Sequence, residues 1–199
     1  MNEAHCTSAI VKSLVDKCFL FTYELEVGRL NTSSEARFDL IKTLSTPQQD
    51  AYNQILMQMM KKDVVLLHGV TSSGKTEIYI HLIKQALDEH KQVLYLLPEI
   101  ALTVQIMEHQ VFGDRLGIYH SKYSDAERVE IWQKQMSGHP YDVILGARSS
   151  VFLPFQNLGL VIIDEEHETS FKQQDPAPRY HARSAAIVLA KMYPGAKVL

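Results

Sequence analysis

The chain has 199 residues, 46% hydrophobic and 22% charged, which suits one α/β domain with a sizeable core. A net charge of −3 argues against a broad electrostatic footprint for nucleic acid, so any such binding must be local. No apolar run approaches the ~20 residues that span a bilayer, and no charged-then-apolar leader opens the chain. Its two cysteines, Cys6 and Cys18, fit neither a zinc pair nor a redox motif, and the expectation is a reduced, cytoplasmic protein.

The first 43 residues stand apart from the rest of the chain. Ile10, Val11, Leu14 and Val15 line one side of a short helix, and Phe19 to Val27 alternates as a strand. Residues 1–30 are too few to bury a core alone, and 31–43, beginning Asn-Thr-Ser-Ser-Glu-Ala-Arg, read as a linker.

From Val64 onward strands and helices alternate. Val64-Val65-Leu66-Leu67-His68 is an apolar run of strand type. It leads into Gly69-Val70-Thr71-Ser72-Ser73-Gly74-Lys75-Thr76, a complete G-x-x-x-x-G-K-[ST] phosphate loop. The helix behind it, about 75–89, carries Ile78, Ile80, Leu82, Ile83, Ala86 and Leu87 at helical spacing. Strand, glycine loop and helix form the context this motif requires. Its glycines let backbone N–H groups wrap a phosphate chain, and the helix N-terminus adds partial positive charge. Lys75 is placed to reach the β- and γ-phosphates, and the Thr76 hydroxyl to join a magnesium ion.

Next come a strand at Val93–Leu97 and a helical pattern through Ile100, Leu102, Val104, Ile106 and Met107. A short strand at Leu116–Tyr119 follows, then a helix capped by Ser124 or Asp125 and running to Gly138. Tyr141–Leu145 reads as a strand ending at Gly146. Leu160-Val161-Ile162-Ile163 is a strand buried on both faces, and it ends in Asp164-Glu165-Glu166-His167. A helix from about Arg183 to Met192 and a strand at Lys197–Leu199 complete the pattern. Repeated βα units imply a mostly parallel sheet with helices on both faces. In such sheets ligands bind at the carboxyl ends of strands, which puts the acidic run beside the phosphate loop. Asp164 then holds magnesium through water, and Glu165 orients or deprotonates an attacking water.

Residues 168–183 interleave Phe171, Tyr180 and His181 with Lys172, Arg179 and Arg183, around Pro176 and Pro178. Aromatic faces stack on unpaired bases while cations follow the backbone, as single-strand binders require. A proline-stiffened surface loop whose aromatics pack inward is the alternative. His120-Ser121 has no acid nearby at metal-ligand or triad spacing.

Taken together, Gly69–Glu77, Pro98–Thr103, His120-Ser121, Gly146–Phe152, Asp164–His167 and Phe171–Gln174 form six ordered motifs over 44–199. This set resembles superfamily 2 DNA helicases, and among them the primosome-assembly helicases of the primosomal protein N′ family. The resemblance implies a RecA-like first motor lobe, using ATP and magnesium, of an ATP-driven 3′-to-5′ DNA helicase that restarts stalled replication forks. It also implies that Gln48 reads the adenine edge, a position that is otherwise a polar residue in the first turn of an exposed helix. Thr103, Arg148 and Ser149 match motifs that meet the DNA backbone, and His167 is expected to relay nucleotide state toward DNA. Residues 1–30 correspond to the tail of a winged-helix domain. The implied partners are forked and single-stranded DNA, other primosome proteins and single-strand-binding protein. A second lobe with its arginine finger, worth ~10³–10⁵ in rate, and a zinc module of cysteines are expected in a longer parent and not here. Two other classes stay open: a stand-alone P-loop ATPase, and a non-catalytic ATP-dependent DNA-docking module.

Overall fold

A computed structural model describes residues 35–70, 73–98, 111–119 and 123–199. The expectations for 1–30, for the helix through 100–107 and for Thr71, Ser72, Thr103, His120 and Ser121 lie outside those residues. Within the described part of the linker span, Phe38 and Ile41 pack on the core. Phe38 meets Phe112 edge to face at 6.1 Å.

Five strands form one parallel sheet: β1 (Gln92–Leu96), β2 (Leu116–Tyr119), β3 (Val143–Gly146), β4 (Leu158–Ile163) and β5 (Lys197–Val198), in the order β2-β3-β1-β4-β5. Four helices flank it among the described residues: α1 (Thr46–Met59), α2 (Lys75–Asp88), α3 (Asp125–Met136) and α4 (Ala182–Lys191). Side chains alternate across the pleat. Val93, Tyr95 and Leu97 enter one core with Leu160 and Ile162, under α1 and α2. Leu94 and Leu96 enter the other with Val161 and Ile163, under α3 and α4. Burial on both faces explains why β1 and β4 read as unbroken apolar runs rather than alternating ones.

Helix starts follow local chemistry. Ser124 caps α3 and Glu127 bonds back to the Ser124 N–H at 2.7 Å, a reciprocal capping box. Ser45 and Gln48 make the same box at the start of α1, with Pro47 in the first turn. Helix α1 is the exposed helix that holds Gln48 in its first turn, but its extent was not read from sequence, because only Ile55 and Met59 along it are buried and its apolar stripe is weak.

Two expectations need correction. The run 64–68 does not form a strand of the sheet. Val64 makes an isolated parallel bridge to Val198, and Val65 N–H donates to the Val198 carbonyl at 2.9 Å. Its partner β5 is two residues long, so the ladder stops almost at once, and Leu66 stays 73% exposed. The second correction is Phe171. Its ring is 1% exposed and lies in the core with Phe155, Ala182 and Ala186. A ring wrapped by core on every side has no face left for a base, so Phe171 anchors the loop it begins and does not stack on DNA.

Truncating that anchor leaves a cavity. Phe171→Ala should lose about 3–5 kcal/mol of folding stability in urea titrations, whereas an unchanged unfolding midpoint would place the ring outside the core.

Candidate functional site

The phosphate loop and the acidic turn come together at the carboxyl edge of the sheet. Gly74 opens α2 in the left-handed region at φ 80°, where a side chain would be strained and would also run into the Gln48 amide. This turn delivers Lys75 as the first residue of the helix. Its Nζ donates to the Gly69 carbonyl at 2.9 Å and to Glu165 Oε1 at 3.3 Å. Both side chains are largely buried, at 15% and 33% exposure, so their attraction is less screened than that of a surface pair.

On the other side β4 ends at Ile163, and Asp164 N–H bonds the Leu96 carbonyl of β1 at 3.0 Å. The chain then turns through Glu165, which holds φ 48°, a left-handed conformation that costs a non-glycine residue ~1–2 kcal/mol. Strain of this kind persists only where the surroundings enforce it. Here the turn brings Glu165 N–H to Asp164 Oδ1 at 3.1 Å and aims the Glu165 carboxylate at Lys75.

Asp164 is ringed by donors. The Tyr79 hydroxyl donates to its Oδ1 at 3.3 Å and the Tyr95 hydroxyl to its Oδ2 at 3.4 Å. Burial raises the Asp164 pKa above the usual carboxylate range, helped by the Glu165 charge and opposed by Lys75. Burial, then the charge of Asp164, pushes the Tyr79 phenol far above its ordinary value, so it remains a donor at any working pH. Neither tyrosine was reached by the motif reading, although both carry a signal. Tyr79 follows Lys75 by one helical turn, and Tyr95 is the lone hydroxyl in an apolar strand, where a buried O–H needs a partner.

A cleft of about 460 Å³ opens over these groups, lined by Gly69, Val70, Lys75, Asp164, Glu165 and Arg183 among others. Thr76 is half-buried in the first turn of α2. It lines a separate pocket with Ile41, Glu77 and Val111 rather than this cleft. The donor in the cleft that fits magnesium is therefore the partly desolvated Asp164 carboxylate, since magnesium takes one or two protein ligands and completes its shell with phosphate and water. Among the described residues no group of three or more His, Cys, Asp or Glu side chains is arranged to hold a metal by itself.

The remaining candidates separate into those at the cleft and those around the following loop. His167 is 71% exposed, with Nδ1 3.8 Å from Glu165 Oε2. Gln48 has both ends of its amide engaged: Oε1 accepts from Ser45, and Nε2 donates to the Gly74 carbonyl at 3.1 Å. Arg183 pairs with Glu166 and lines the cleft. Arg148 Nη1 donates to the Ser170 carbonyl at 3.2 Å and more weakly to that of Lys172. Ser149 is half-buried beside it. An antiparallel bridge between Lys172 and His181 closes the loop, leaving Lys172 and Arg179 exposed. Tyr180 is half-buried, its ring 4.9 Å from the 55%-exposed ring of Phe152 in an edge-to-face pair. Phe152 ends the Gly146–Phe152 motif and is a further surface aromatic that motif reading passed over.

Known proteins match this arrangement. The chain is 45% identical over 193 residues to the replication restart protein PriA of Haemophilus influenzae, covering 93% of this chain and 26% of that protein. It is 38% identical over 183 residues to PriA of Synechocystis, covering 91% and 22%. The chain thus spans about a quarter or less of the length of these relatives. Among solved structures it resembles RecG bound to a three-way DNA junction, with TM-score 0.54, 27% identity and coverage of 65% of this chain and 19% of that one. The DEAD/DEAH box helicase family model matches residues 45–192, a span that holds the phosphate loop, the acidic turn and the loop behind it, and the chain belongs to that family.

Proposed function

We propose that this chain is the first motor lobe of an ATP-dependent 3′-to-5′ DNA helicase that serves primosome assembly and replication-fork restart. The observation that carries the reading is the meeting of Lys75 and Glu165 at 3.3 Å, with Asp164 beside them. A binding module needs the phosphate loop alone. Hydrolysis also needs a carboxylate held where water meets the γ-phosphate.

In this reading the backbone of Gly69–Gly74 (Val70, Thr71, Ser72 and Ser73 between them) cradles the phosphates, and Lys75 leaves the Gly69 carbonyl to hold the β- and γ-oxygens. Thr76 and Asp164 hold magnesium, which neutralises charge on the phosphates. Glu165, already turned into the cleft by its backbone, orients the water and takes its proton. Gln48 reads the adenine edge, which requires at least one of the three hydrogen bonds its amide now makes to be exchanged. His167, exposed next to Glu165, relays nucleotide state toward DNA.

DNA runs over the face that carries Arg148, Ser149, Lys172, Arg179 and Tyr180, with Phe152 added as a second stacking ring, and Thr103 keeps its proposed role in meeting the DNA backbone. The similarity to PriA proteins over most of this chain and to RecG, solved with a DNA junction, supports DNA as the substrate. Forked and single-stranded DNA, other primosome proteins and single-strand-binding protein are the proposed partners. The proposed setting is cytoplasmic, and zinc belongs to the longer protein. Arg183 has a different place from the other cations: its pair with Glu166 ties the end of the loop to the acidic turn, so loop movement on bases reaches the cleft.

Glu165→Gln in the full-length protein should lower kcat for ATP by about 10²–10⁴ while KM changes little. A higher KM with unchanged kcat would make Glu165 a binding residue. Replacing Phe152 and Tyr180 by Ala should weaken single-stranded DNA binding by roughly 1–3 kcal/mol per lost stack. The ratio of DNA-stimulated to basal hydrolysis should fall with it. An unchanged ratio in a stably folded variant removes these rings from the DNA path.

A further inference from the structure

Tyr79 and Tyr95 are 4% and 0% exposed, so neither hydroxyl is turned to solvent. They come from different elements, α2 and β1, and their rings meet edge to face at 5.6 Å. Packing alone would be met by phenylalanine at both positions. What the hydroxyls add is a donor for each oxygen of Asp164, at 3.3 and 3.4 Å, next to the Glu165 N–H at 3.1 Å.

We propose that Tyr79 and Tyr95 are positioning residues that fix the Asp164 carboxylate for magnesium. A carboxylate has about four lone-pair sites. Three donors from the protein side hold both oxygens and define the plane of the group. The side toward the cleft is left for the cation and its water. Donors behind a metal-binding carboxylate set its orientation, and their loss typically weakens metal affinity ~10–100-fold. Because Tyr79 stands on the phosphate-loop helix one turn after Lys75, it also locks the acidic turn to the element that grips the phosphates. Removing the Tyr95 hydroxyl takes away the donor on Oδ2, and removing that of Tyr79 leaves Oδ1 with the Glu165 N–H alone, so the half-buried carboxylate is freer to rotate toward the cleft or to draw in water. This inference rests on Asp164 as the magnesium-holding residue.

The test reads binding rather than turnover, on the 199-residue chain. A fluorescent, non-hydrolysable ATP analogue is titrated in EDTA and then at fixed analogue with rising magnesium. The proteins are the parent, Tyr79→Phe, Tyr95→Phe, the double variant and Asp164→Asn. The tyrosine variants should keep the EDTA affinity within about twofold, and the double variant should need about tenfold more magnesium for half-saturation. Each single variant should fall between parent and double, which carries the test if the double variant does not fold. Magnesium half-saturation at the parent value in folded tyrosine variants, with Asp164→Asn insensitive to magnesium, overturns the positioning role and leaves Asp164 in place. An equal loss of affinity in EDTA also overturns it, since that is what general disruption of the site would do. If Asp164→Asn responds to magnesium as the parent does, Asp164 is not the magnesium residue and this inference falls with that reading.

Discussion

A cation and a carboxylate ninety residues apart in sequence meet at 3.3 Å, and the parallel pairing of β1 with β4 is what makes that meeting possible. In a parallel sheet every strand delivers its last residue to the same edge. Leu96 pairs with Ile163, and the Leu96 carbonyl then accepts from Asp164 N–H, which fixes where the acidic turn begins. The cost is concentrated in that turn. Glu165 takes a left-handed conformation, and Asp164 sits where burial and the neighbouring Glu165 charge disfavour its ionised form. A carboxylate with a raised folded-state pKa favours the fold at low pH. That contribution is lost as pH rises through the raised value, so ionised Asp164 at neutral pH weighs against stability. The two apolar cores on either face of the sheet offset this.

The base of the loop behind the acidic turn is held at three places. Phe171 anchors it in the core, Arg148 binds the Ser170 and Lys172 carbonyls, and Arg183 pairs with Glu166. Of these, only the last two are polar contacts that can be exchanged for phosphate without opening the core. Arg148 therefore stands between the Gly146–Phe152 motif and the loop, and Arg183 between the loop and the cleft. A displacement of the loop has a short physical path to the acidic turn through Glu166 and the backbone next to it.

Much of this was legible in the sequence, for identifiable reasons. Buried parallel strands need apolar residues on both faces, so β1 and β4 announced themselves within a residue or two, and β2 matched its reading throughout. The helix after Gly74 and the cap at Ser124 followed from turn and cap chemistry. Lys75, Asp164 and Glu165 came together as their motifs required. Pattern reading failed where neighbours decide the outcome. The run 64–68 has strand composition but only a two-residue partner, and α1 has helical structure with little apolar periodicity. Phe171 shows the same limit at the site: an aromatic between cations has the composition of a stacking residue, and only its surroundings reveal a core anchor. Tyr79 and Tyr95 went unread because the partner of a buried hydroxyl is set by the fold and not by spacing along the chain.

The central claim is that Lys75 and the acidic turn build one nucleoside-triphosphate site. Calorimetric titration of ATP with magnesium into the parent chain and into Lys75→Ala, each checked for an intact fold by its melting curve, tests it directly. Among the described residues the Lys75 ammonium bonds the Gly69 carbonyl and Glu165, both at the site itself, so its removal should leave the fold intact and abolish measurable nucleotide binding. Equal affinities in two well-folded proteins would contradict the account.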